Sequence, residues 1–178
     1  MHVLVVHGMA RTRLSFEPLA RHLRRAGHRV TSAGYVAALE GFGTVCARMR
    51  AELGRMAAGG EPYALIGHSL GGLILRVAGS LGSPLTPPPR LFIMLGTPNQ
   101  PPRLAAHVRR LWPYRLINGE AGQLLADPGF FATLPALTVP YTVIAGTGGR
   151  RGRWSPFGDE PNDGTVAVTE TRLAVGGA

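Results

Sequence analysis

The sequence contains no lysine: all nineteen basic side chains are arginine, set against ten carboxylates for a formal charge of +9. Such an excess points to nucleic acid or an anionic surface only where it is concentrated. These arginines are scattered from Arg11 to Arg172, with small groups at Arg24-Arg25, Arg109-Arg110 and Arg150-Arg151-Arg153. No run of five like charges and no interleaved aromatics accompany them, so no nucleic-acid partner is expected. Compositional bias is the plainer reading, and a weak anionic surface contact through the arginines is the alternative.

Cysteine is almost absent as well. Cys46 stands alone, which excludes an internal disulfide. Its neighbours Val45, Ala47 and Met49 mark it as a buried small hydrophobe rather than a nucleophile. Charged residues make up only 16% of the chain, while 25 glycines, 15 prolines and 45% apolar residues argue against both coiled coil and disorder. No stretch approaches the ~18 consecutive apolar residues of a spanning helix, so no transmembrane segment is expected. Residues 1–8 lack the basic region, apolar stretch and cleavage site of a signal peptide. A cytoplasmic protein of one domain, residues 1–178, built around one sizeable core, is the expectation.

What the chain does contain is alternation. Short, largely apolar runs at 3–6, 63–66, 91–95 and 141–145 have the length of buried parallel strands, and a further strand is expected near 29–32. Between them lie helical patterns: one capped by Ser15 and stopped at Gly27, then 42–57 and 70–79. Strands alternating with helices imply right-handed crossovers, hence an α/β fold with a mostly parallel sheet covered on both faces. Ligands are then expected at the carboxyl ends of the strands. Residues 100–140 form a longer, cap-like crossover with helical patterns near 102–112 and 120–125. Its Leu104, Val108, Leu111, Trp112 and Leu116 either line an acyl pocket or simply pack the segment on the sheet.

Gly67-His68-Ser69-Leu70-Gly71 is a G-x-S-x-G element between an apolar run and a helical run. In that setting it predicts a sharp strand-to-helix turn that exposes the serine Oγ, with Gly67 and Gly71 leaving room for the turn. Glycine is frequent here, so the context rather than the pattern carries the signal. His7-Gly8-Met9-Ala10 follows the first strand, where the second N–H of an oxyanion hole is expected. The backbone amides of Met9 and Leu70 are the candidates. His7 reads as structural, holding that loop by hydrogen bonds.

Taken together, V-L-V-V-H-G at 3–8, A-L-I-G-H-S-L-G-G at 64–72, L-G-T-P at 95–98, the run 141–146 and N-D-G-T-V at 162–166 resemble an α/β-hydrolase of the small lipase/esterase kind. The resemblance implies a triad in the order serine, acid, histidine, with the acid after the strand at 141–145. Asp163 occupies that position, Asp159 being the lesser candidate. Related sequences often carry histidine after G-T-P, where this chain has Asn99.

The six histidines, at 2, 7, 22, 28, 68 and 107, all precede Asp163. The resemblance therefore places the final strand and the catalytic histidine beyond residue 178, leaving an open sheet edge. His68 is expected to point away from Ser69, and His107 lies in the long crossover. The expected activity is cleavage of a carboxylic ester, lipid esters included, through an acyl-enzyme on Ser69, with no metal and no cofactor. The alternative is a catalytically impaired hydrolase-like protein that binds an acyl or other apolar ligand.

Overall fold

The computed structural model describes the backbone of residues 1–108 and 112–173, and the side chains of those residues other than 106–118. Five strands, β1 (His2–Val6), β2 (Arg29–Ala33), β3 (Tyr63–His68), β4 (Leu91–Leu95) and β5 (Tyr141–Ile144), form one sheet in the order β2-β1-β3-β4-β5. Every pairing is parallel, as the alternation of strands and helices requires. Chain direction across the sheet reverses between β1 and β3, so the crevice above their carboxyl ends is the place where an open α/β sheet takes a ligand.

The apolar runs are continuous rather than alternating because both faces of the sheet are covered. Leu4 and Val6 of β1, Leu65 of β3, and Phe92 and Met94 of β4 pack on one side, against α2 (Phe42–Ala58) and α3 (Leu70–Ser80). Val3, Val5 and Ile66 point to the other side, against Phe16, Leu19 and Leu23. The pleat, which turns successive side chains to opposite faces, makes this division. Cys46 lies in the larger core, and burial pushes its thiol up to about 12, in keeping with a hydrophobic role.

The first helix departs from the sequence expectation. Arg13–Phe16 forms a 3-10 turn, and α1 (Glu17–Arg25) begins after it with no side-chain cap. The Ser15 hydroxyl instead donates to the Thr12 carbonyl at 2.6 Å, which closes the tighter turn, and Pro18 sits in the first turn of α1 where its missing N–H costs nothing.

The crossover at 100–140 holds three helices rather than two patterns: α4 (Arg103–Val108), α5 (Trp112–Leu125) and α6 (Pro128–Ala132). Pro128 and Gly129 disguise α6 as a turn, yet the Asp127 side chain accepts the Gly129 N–H at 2.9 Å and caps it. α5 kinks at Gly119, whose φ of 53° is one that side chains rarely adopt. The segment is fastened to α2 by the Phe42 N–H donating to Glu120 at 3.2 Å and by edge-to-face packing of Phe42 on Phe130. Among the described residues β5 has β4 as its one neighbour, and Tyr141 and Ile144 are about half exposed.

Candidate active site

β3 ends at His68, and α3 starts at Leu70, so the whole reversal of chain direction falls on Ser69. Its φ of 50° and ψ of −122° are strained for any residue with a side chain. Hydrogen bonds hold the turn on both sides: Ser69 N–H donates to the Leu95 carbonyl at 2.8 Å, and Gly72 N–H to the Ser69 carbonyl at 3.0 Å. The flanking glycines are there for close approach. A Cβ at Gly71 would meet the Val6 carbonyl and lie 2.5 Å from the His7 carbonyl oxygen, and one at Gly67 would lie 2.6 Å from the Gly72 nitrogen. Backbone atoms cannot yield as side-chain ends do, so α3 can start against β1 only with glycine at both sites.

The loop after β1 lies against this turn: a Cβ at Gly8 would sit 3.1 Å from Ser69 Cβ. His7 is 2% exposed and has both ring nitrogens engaged. The Tyr35 N–H donates to Nε2 at 3.2 Å, which leaves Nδ1 to donate to the Gly8 carbonyl at 2.8 Å. The two rings stack with centroids 4.4 Å apart, and the Tyr35 hydroxyl donates to the His7 carbonyl at 3.0 Å. His7 is thus a strut for the loop, as its position implies. Ala10 also has a positive φ, 54°, so strain falls on both loops that border Ser69.

Asp163 follows β5, in the loop expected for the acid. Its Oδ1 accepts from the Thr165 N–H, the Thr165 hydroxyl and the Val166 N–H, each at 2.8 Å. Its Oδ2 faces the end of β4, where a Cβ at Gly96 would lie 3.0 Å away. Sequence reasoning missed what aims this loop. Asn162 is fully buried; its amide donates to the Arg150 and Glu160 carbonyls at 3.0 and 2.9 Å and its oxygen accepts the Gly164 N–H at 2.9 Å. Glu170, also buried, accepts from the Arg103 N–H and Nε at 2.9 and 2.8 Å and ties the far end of the loop to α4. Asn162 sits inside N-D-G-T-V and was visible as a motif member; Glu170 carries no local signal.

A cavity of about 430 Å³ brings these parts together. Met9, Ala10 and Arg11 line it from the loop after β1, His68 and Ser69 from the end of β3, Asp163 and Thr165 from the acid loop. Leu104, Ala105 and Leu125 of the crossover form an apolar wall. His68 keeps the alternation of β3, on the side of Ile66 with its ring edge-on to Phe16 at 6.5 Å between centroids, and still borders the same space as Ser69. Burial, then the nearby charge of Arg11, depresses the His68 pKa, and Asp163 works in the opposite direction. Among the described residues no hydrogen bond reaches the Ser69 hydroxyl. The side chains of His107, Val108, Trp112 and Leu116, and all of Leu111, lie outside the described residues.

Among the described residues the arginine that lines this cavity is Arg11. Arg11 also lines an adjoining cavity of about 480 Å³ with Arg13, Tyr35 and Glu40. Asn99 is structural: its side chain accepts from Arg76 and donates to the Thr171 carbonyl, each at 2.8 Å. No helix of the described residues is long and apolar enough to cross a membrane.

Solved structures share this arrangement of strands and helices. The mature lipase BlEst2 of Bacillus licheniformis superposes with a TM-score of 0.75 at 21% identity, over 96% of this chain and 78% of the lipase. The phospholipase PlaB of Legionella pneumophila superposes with a TM-score of 0.73 at 18% identity, over 97% of this chain and 46% of PlaB. This chain therefore spans most of the mature lipase and less than half of PlaB, and at these identities the likeness is one of fold. A comparison with curated protein sequences finds none that matches. The thioesterase-domain family model matches residues 1–137, which include the loop after β1, the Ser69 turn and much of the crossover. With an α/β-hydrolase fold over its length and that match over most of it, the chain belongs to the thioesterase-domain family.

Proposed function

We propose that the protein is a serine hydrolase that cleaves carboxylic esters through an acyl-enzyme on Ser69. The observation that carries the reading is the convergence of Ser69 and Asp163 on one cavity, with Ser69 on a strained turn between β3 and α3. Strain of ~1–3 kcal/mol persists where surrounding structure imposes it, commonly at reacting groups.

In this reading Ser69 is the nucleophile of a nucleophile elbow. The N–H of Leu70, first in α3 and without an intrahelical acceptor, stabilises the oxyanion together with the N–H of Met9. Asp163 orients an imidazolium by its Oδ2, since Oδ1 is saturated by Thr165 and Val166. Leu104, Ala105 and Leu125 receive the acyl chain, so lipid esters are among the substrates. Arg11, at the join of two cavities, meets an anionic group on the leaving side.

A base has to take the Ser69 proton, and all six histidines precede Asp163 in the chain. Free imidazole is the direct substitute for one supplied from elsewhere. The test is covalent labelling by a fluorophosphonate probe and hydrolysis of a p-nitrophenyl ester, with and without added imidazole. Labelling lost in Ser69→Ala, and turnover raised by imidazole above that of Ser69→Ala at the same imidazole concentration, support the reading. Labelling unchanged by Ser69→Ala overturns it. If ester analogues bind the cavity with neither labelling nor turnover, the protein is instead an acyl-binding member of the fold.

A further inference from the structure

We propose that the cavity at the far end of α3 is a second binding site, specific for a medium-chain alkyl carboxylate held by Arg76. The cavity measures about 270 Å³ and, among the described residues, shares no lining residue with the one around Ser69. α3 separates the two: Arg76 lies seven residues beyond Ser69, roughly 10 Å along the helix at ~1.5 Å per residue. Its walls are apolar, formed by Leu75 of α3, Phe92 of β4, Leu85, and Leu137 and Val139 ahead of β5.

Among the described residues Arg76 is the one charged residue in that lining, and it is half-buried. Its Nε donates to the Pro135 carbonyl at 2.7 Å and its Nη1 to Asn99 Oδ1 at 2.8 Å. Both acceptors are neutral, and among the described residues no carboxylate pairs with the guanidinium. Burial pushes its pKa down, the mark of a cation short of compensation. An anion is the missing complement, and a planar carboxylate fits the guanidinium fork.

The end of α3 is prepared for negative charge. A helix C-terminus ordinarily repels an anion, because its last carbonyls point outward. Here Arg50 donates to the Gly79 carbonyl at 3.2 Å and to the Ser83 carbonyl just beyond the helix, which covers one of those oxygens and sets beside it a second cation outside any ion pair among the described residues. The walls require an alkyl tail, and the volume, just under the ~300–1,000 Å³ of typical small-molecule sites, limits that tail to medium length. The site does not depend on chemistry at Ser69.

Octanoate is the probe, titrated into methyl-labelled protein and followed by NMR. Shifts at Leu75, Leu85, Leu137 and Val139, with Leu104, Leu125 and Val166 unmoved, are expected. Octanamide and Arg76→Gln should each weaken binding at least about tenfold, the loss of a charge-assisted bidentate contact. Should Arg76→Gln fail to fold, Gly79→Leu decides. Gly79 lines the cavity and a Cβ there meets nothing within 4 Å, so the substitution adds an isobutyl group at the cavity wall with Arg76 intact and should abolish binding. Shifts confined to Leu104, Leu125 and Val166, no shifts at all, octanamide binding as tightly as octanoate, or unchanged affinity in Gly79→Leu would each overturn the proposal.

Discussion

Thr165 grips Asp163 twice, its backbone N–H and its hydroxyl both donating to Oδ1 at 2.8 Å. One carboxylate oxygen is thereby committed to its own loop and the other is left facing the end of β4. Thr165→Val keeps the backbone bond and removes the hydroxyl. A neutral donor to a charged acceptor at an exposed site predicts a loss of about 1 kcal/mol in urea unfolding. It should also slow fluorophosphonate labelling of Ser69, because Asp163 gains freedom to turn.

Strain at Ser69 predicts a trade between stability and reactivity. Ser69→Gly relieves a φ of 50° and should raise stability by roughly 1 kcal/mol while abolishing covalent labelling. Thermal and urea unfolding of wild type, Ser69→Ala and Ser69→Gly measure it; a glycine variant no more stable than the alanine one would refute strain at this position.

Gly71→Ala should be among the most damaging single methyl additions available. Its Cβ would press on the Val6 and His7 carbonyls, which belong to β1 and the loop that β1 feeds. A loss of at least about 3 kcal/mol is expected, the upper range for overpacking, because no side chain can rotate away. Gly43→Ala is the control, since a Cβ there meets nothing within 4 Å.

Two histidines predict the acid limb of the stability profile. Burial, followed by Arg29 for His2 and by Arg11 for His68, places both folded pKa values below the unfolded ~6.5. Between the folded and unfolded values the unfolded chain binds more protons, so stability falls as pH drops from about 6.5 through the folded values and is flat in this respect above 6.5. NMR titration should find the His68 pKa raised in Arg11→Gln and lowered in Asp163→Asn. Equal values in all three proteins would mean that His68 feels burial alone.

Glu170→Gln should release the acid loop from α4. It removes the charge that meets Arg103 while keeping the shape of the side chain. Arg103 is partly exposed, so the loss is discounted to about 2 kcal/mol, below the range for a fully buried pair. Urea unfolding checks the magnitude, and faster proteolysis within 146–170 checks the location.

Much of this was legible along the chain. β4 runs over the expected residues 91–95, and α2 and α3 extend their patterns by one residue each, because a strand buried on both faces is a plain apolar run and a core helix has a plain apolar stripe. Ser69 was legible because a reversal within one residue leaves glycines as its trace. The start of α1 was not, since Ser15 makes its hydrogen bond backward to Thr12 rather than forward into a helix. Nor was α6, whose Pro128 and Gly129 are turn residues until Asp127 caps them.

The α/β alternation and the glycine-flanked turn at Ser69 follow from the chain alone, because each is local or periodic and is written in residue type. It took the packed fold to bring Arg11 to the cavity at Ser69, to open His68 onto the same space, and to hold the loop of Asp163 through Asn162 and Glu170. Those relations join residues far apart in the chain, and no pattern of neighbours encodes them. They exist because parallel strands bring the loops after β1, β3 and β5 to one edge of the sheet, and burial there makes each polar group find its partner.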